Sequence, residues 1–192
     1  SMRILIAVLV LIFSLQSLIK ADDISDFQIE GMSIGDSLLD YFSETKVKNL
    51  PRDYYPGSKK YEMIEIQGKY EDYDVVAFHV KQKDKKYLIA QIKGVIFYDN
   101  NLKKCKKKMN EVENFISDFL KQPRDYYNKK KHPDKSGTTF VSEFYIEKGA
   151  IKLWCVDWTK KTENSKGYVD NFALSIEHKD YIYWLKNEAW KQ

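Results

Sequence analysis

A chain of 192 residues with 43% hydrophobic residues can form one ordinary domain or two small ones, and it is too apolar to be disordered. Its net charge of +4 is too small to point to a nucleic-acid partner. The charge falls to +2 without residues 1–21, which carry Arg3 and Lys20 and no acid.

The N-terminal segment opens on Arg3, continues through an apolar-rich run over 4–18, and reaches Ala21 just ahead of Asp22 and Asp23. A basic start, an apolar run and a small residue before a charged stretch form the pattern of a secretory signal peptide over 1–21. The run is short of the ~20 residues a membrane span needs, so no stable span is expected once the leader is removed, an uncleaved anchor being the alternative. The predicted location is periplasmic or secreted. In such an oxidising compartment two cysteines are expected to pair.

Residues 27–32 suggest a short strand or extended arm. Ser33 and Asp36 have capping-box spacing, and Ile34, Leu38, Tyr41 and Phe42 supply the apolar stripe of a short helix ending near Glu44. Residues 49–60, with two prolines and Gly57, read as a loop. Strands are predicted over 61–67, 73–81 and 87–98; their short polar connections imply antiparallel pairing, and Gly94 marks a bulge or bend. Between 100 and 122, Leu102, Cys105, Met109, Val112, Ile116 and Phe119 recur at helical spacing, with Lys103, Lys104, Lys106, Lys107, Lys108, Glu111 and Glu113 turned largely to water. The basic stretch 124–138 reads as a long exposed loop. Three more strands are expected over 139–146, 151–158 and 168–176, with a tight turn at Lys148-Gly149 and a charged loop over 160–167. A helix over 178–191 closes the chain, with Tyr181, Trp184, Leu185 and Ala189 on one side.

This order predicts a single α+β domain over 22–192, in which two antiparallel three-stranded units pack on the central helix. The pentapeptide Pro-Arg-Asp-Tyr-Tyr begins at Pro51 and again at Pro123, each time after a predicted helix and before a strand triplet. That recurrence suggests an internal duplication of 33–98 and 100–177. Coincidence in a Tyr- and Lys-rich chain is the alternative.

Four segments carry a resemblance: DFQIEGMSIGDSLLDYFS from Asp26, GVIFYDNN from Gly94, KHPDKSG from Lys131 and CVDW from Cys155. Together they resemble a family of small exported proteins from small-genome marine bacteria. The resemblance implies an exported soluble protein and supplies no activity and no functional residues.

Candidate residues come from chemistry alone. Ile151, Leu153 and Cys155 share one strand face, which suits contact with the helix that holds Cys105. A Cys105–Cys155 disulfide is expected, two buried thiols being the alternative. Trp154, Val156 and Trp158 share the opposite face, where a half-solvated sheet is usually polar. The indoles are either covered by the last helix with Trp184 or form an aromatic platform for a ligand. Arg52 and Arg124, both in the repeated pentapeptide, are the only arginines beyond the leader, in a chain that otherwise uses lysine. Each either contacts a carboxylate or phosphate ligand through its planar fork, or pins its own loop to an acid or a helix C-terminus.

The lysine runs at 103–108 and 129–135 suit envelope polyanions or plain solvated surface, and the composition favours surface. No HExxH, CxxC, GxSxG or glycine-rich phosphate loop is present, and His79, His132 and His178 are dispersed. No metal or cofactor is predicted. The sequence therefore predicts an exported non-enzymatic binding or envelope accessory protein, acting on a small molecule or an envelope protein. The alternative is a periplasmic enzyme, such as a hydrolase built from carboxylates and His79.

Overall fold

The computed structural model describes residues 23–99 and 101–191, so the predicted leader over 1–21 lies outside the described residues. Nine strands are present among the described residues: β1 (Gln28–Ile29), β2 (Met32–Ser33), β3 (Tyr61–Ile66), β4 (Val75–Lys81), β5 (Ile89–Phe97), β6 (Tyr126–Lys131), β7 (Gly137–Ile146), β8 (Gly149–Trp158) and β9 (Asn171–His178). Four α-helices accompany them among the described residues: α1 (Glu44–Asn49), α2 (Leu102–Leu120), α3 (Lys160–Lys166) and α4 (Lys179–Asn187). β1 and β2 pair with each other, and the other strands form one antiparallel sheet in the order β3-β4-β5-β9-β8-β7-β6.

This architecture overturns the predicted one. The protein is predominantly β, and no pair of three-strand units flanks a central helix. The two copies of the repeated pentapeptide sit in different settings. The first Pro-Arg-Asp-Tyr-Tyr copy is irregular and meets β3 only through an Asp53–Met63 bridge, whereas the second runs into the regular strand β6. The predicted helix from Ser33 does not form because Gly35 adopts a φ of +91° and the segment hydrogen-bonds to the start of β5 instead. Asp36 still accepts from the Ser33 N–H at 2.9 Å, so the capping-box contact survives without its helix. The true helix, α1, starts later under a Ser43 cap.

The chain divides into two compact units. One comprises the described residues up to Gly94, Ile146–Ala150, and those from Ile176 on. In it β3 pairs with β4 so that Ile64 lies opposite Phe78 and Ile66 opposite Val76; all four are buried. The other face of this strand pair carries Tyr61 and His79, and α4 covers it with Tyr181 and Trp184. Trp184 Nε1 donates to Ser58 Oγ at 2.9 Å. Gly94 is fixed by a ring rather than by backbone freedom, since a Cβ there would meet Tyr73 at 2.4 Å.

The second unit comprises Val95–Tyr145 and Ile151–Ser175. Here α2 forms as expected and buries Cys105, Met109, Ile116 and Leu120. Cys105 and Cys155 are joined in a disulfide, and Ile151, Leu153 and Cys155 are buried together on β8. The stretch expected to be a loop is β6, paired along its length with β7 from Tyr126↔Glu143 to Lys131↔Thr138. All six of its side chains are exposed, so it has no apolar alternation to betray it. The charged stretch after β8 is likewise a helix, α3, held by a Thr159 N-cap and a left-handed Gly167 C-cap rather than by an apolar stripe.

Candidate functional site

The second unit contains a cleft of about 670 Å³ where several chain ends converge. Its walls are the β6–β7 hairpin tip, the end of β8, the start of α3 and the residue preceding β9. The tip turns because Pro133 follows His132 and Lys135 takes a positive φ, with Lys135 N–H donating to His132 O at 2.9 Å. Gly137 is needed there, since a Cβ would sit 2.6 Å from Asp157 O and 3.1 Å from the Trp158 ring. Ser136 O accepts from the Thr159 N–H at 2.9 Å, which ties the tip to the start of α3.

Trp158 forms an aromatic wall of the cleft. Its ring meets His132 at 5.0 Å and Tyr168 at 4.8 Å, tilted from both, and it remains half-buried. Both nitrogens of His132 are engaged, Nδ1 with Ser136 Oγ at 2.9 Å and Nε2 with Thr139 Oγ1 at 2.8 Å, so the ring is held in place. Asp170 is buried and its Oδ1 accepts from the backbone N–H of Trp158 at 2.8 Å. Burial pushes its carboxyl above the usual carboxylate range, against the lowering effect of that hydrogen bond. The cleft therefore offers one aromatic surface, fixed carboxylates and, on its exposed rim, Lys131, Lys135 and Lys160. Among the described residues no group of three or more His, Cys, Asp or Glu side chains is arranged to hold a metal ion.

The sequence-selected residues fall in different places. Trp158 lies in the cleft; Trp154 is half-buried on the same strand face and does not line it. Arg52 spends its fork on its own unit. Nη1 donates to Leu50 O and Nη2 to Val47 O, each at 2.7 Å, and Nε donates to Glu62 Oε1 at 3.2 Å. It thus fastens the C-terminal end of α1 to β3. Arg124 donates to Glu113 Oε1 at 2.5 Å and stacks over Tyr127 at 4.3 Å, pinning the start of β6 to α2. Glu113, expected to face water, is nearly buried by this pair.

His79 is 3% exposed in the first unit, its ring against Tyr55 and Tyr181 and its Nδ1 2.6 Å from Gln91 Oε1. Burial drives its pKa down to about 4. Lys93, further along β5, is also held below the ordinary lysine range by burial, although the charges of Glu65 and Glu177 pull the other way.

Sequence reasoning missed His132, Asp157 and Asp170, which come from segments read as loop or as strand alternation. A signal for the region lies in the histidine, proline and glycine of KHPDKSG, a pattern that suits a tight turn. Comparison with protein-family models, with curated proteins and with solved structures finds no match.

Proposed function

We propose that this is an exported, non-catalytic binding or envelope accessory protein that holds its ligand or partner in the Trp158 cleft. The carrying observation is the half-buried indole of Trp158, fixed between His132 and Tyr168 in the wall of a cleft that also holds the buried Asp170 and exposed lysines. Pre-organised aromatic surface with a few fixed polar groups is the usual composition of a small-molecule site. Export is supported by the disulfide and by the leader pattern, and no helix among the described residues is long and apolar enough to cross a membrane. Membership of the family of small exported proteins resembled above is part of the same proposal.

A hydrolase built on His79 has less support. The ring is enclosed by Tyr55 and Tyr181, and a substrate would have to displace them to reach it.

A thermal-shift screen of metabolites and envelope components tests the proposal, because a ligand bound only by the folded state raises the melting temperature. A stabilising compound should lose its effect on the Trp158→Ala variant. An equal shift in that variant would place binding elsewhere. For export, the protein produced in a secreting host should begin at Asp22 by intact mass, and a full-length cytoplasmic product would contradict it.

A further inference from the structure

Resting on the reading of the Trp158 cleft as the binding site, we infer that its ligand is an acidic saccharide: a pyranose ring laid on Trp158, with its carboxylate or sulfate turned to the lysines of the rim. Three features of the cleft, each on different residues, lead there.

The first is the shape of the aromatic surface. His132 and Tyr168 meet the indole at interplanar angles of 70° and 55°, so neither ring lies parallel to it to make a slot for a flat base. The half-buried indole lines the cleft with the part of its surface that these rings leave uncovered. The face of an aromatic ring is electron-rich, and the polarised C–H bonds on one side of a pyranose chair complement it.

The second is the floor. Asp170 is buried with Oδ1 accepting from the Trp158 backbone N–H, and Asp157 precedes Trp158 on β8 and also lines the cleft. Carboxylates beside an aromatic platform accept hydrogen bonds from ring hydroxyls. They would repel a bare phosphate or a polyanion lying deep in the cleft.

The third is the rim. Lys131, Lys135 and Lys160 are exposed, and none of them forms a salt bridge among the described residues. Three exposed ammonium groups, Lys160 among them also acting through its charge on Asp170, sort a ligand by polarity, hydroxyls inward and negative charge outward. A neutral sugar leaves those lysines unused, and an inorganic anion leaves Trp158 unused.

The test is a titration of the full exported chain, followed by calorimetry and by tryptophan fluorescence. The probes are trigalacturonate, a sulfated galactose disaccharide, maltotriose, AMP and inorganic phosphate. At least one acidic saccharide should bind saturably, at least tenfold more tightly than maltotriose, AMP or phosphate. Its affinity should fall with added salt, as exposed charge contacts require. Trp158→Ala should weaken binding at least tenfold, as loss of an aromatic anchor does.

Because the indole also supports the hairpin, a second variant, Lys131→Ala with Lys160→Ala, alters only exposed side chains. It should fold normally, weaken the acidic saccharide about tenfold and leave maltotriose unchanged. Binding of neither acidic saccharide, or equal binding of maltotriose, would overturn the inference. Preferential binding of AMP or phosphate that Trp158→Ala abolishes would also overturn it while leaving the cleft as the binding site. Saccharide binding indifferent to both variants would overturn the cleft and the inference together.

Discussion

Replacing His79 with asparagine should flatten the acid side of the stability curve. The imidazole lies 3% exposed between Tyr55 and Tyr181, and its Nε2 has no hydrogen-bond partner among the described residues. Protonation would place a charge in that layer, and burial accordingly lowers the pKa from 6.5 to about 4. The unfolded chain therefore binds more protons than the folded one between those two values, and stability falls as pH drops through that window. The full difference amounts to about 3 kcal/mol, of which about 2 kcal/mol is lost between pH 7 and roughly pH 4.5. Asparagine can keep a hydrogen bond to Gln91 and does not titrate.

The charge of Lys93 adds to the lowering at His79, and Glu65 and Glu177 act on Lys93; all three are present in both proteins. Urea denaturation followed by circular dichroism, at several pH values across this range, gives the two curves. The variant should be the less stable protein at neutral pH and should lose about 2 kcal/mol less on acidification. Curves that run parallel would show that His79 is not buried in its neutral form.

Other substitutions probe the rest of the framework. Arg52→Ala removes two carbonyl contacts and the cationic partner of the buried Glu62, which keeps only its Tyr54 hydroxyl among these contacts, and should cost about 2–3 kcal/mol in chemical denaturation. Lysine at that position should restore little, lacking the planar fork. Arg124 is far more exposed and makes no carbonyl contact, so Arg124→Ala should cost less than Arg52→Ala, its cost coming from the nearly buried Glu113 left behind. Reducing the Cys105–Cys155 bridge, which spans 50 residues, should cost about 4 kcal/mol on the chain-entropy account, read as a lower urea midpoint. Gly149→Ala should be severely destabilising, because its Cβ would sit 2.1 Å from Glu177 O; melting temperature is the readout.

Regular burial was legible in the sequence, and pairing at edges was not. β3, β4 and α2 stood out because Ile64, Ile66, Val76, Phe78 and Val80, and then Cys105, Met109 and Ile116, repeat at strand and helix periods and are buried. β6 stayed hidden because an edge strand with every side chain in water has no period; its only mark is backbone pairing to β7. α3 is similarly silent, a short polar helix defined by Thr159 and Gly167 at its ends. Ser33 misled because its capping contact with Asp36 is real while Gly35 turns the backbone away from a helix. For the site, Trp158 drew notice as an aromatic residue on a face expected to be polar. His132 and Asp170 reach it only through the hairpin and the start of β9, and those meetings depend on strand order rather than on local pattern.

The most direct test of the binding account is the response of the indole N–H resonances to an acidic saccharide in solution. The chain has four tryptophans, and each has a distinct setting. Trp158 lines the cleft, Trp154 sits along β8, Trp184 is buried with its N–H on Ser58, and Trp190 is 64% exposed. Titration with trigalacturonate or the sulfated disaccharide should move the Trp158 signal saturably and leave Trp184 and Trp190 in place. A shift confined to Trp190, or no shift at Trp158 at saturating saccharide, would contradict the account.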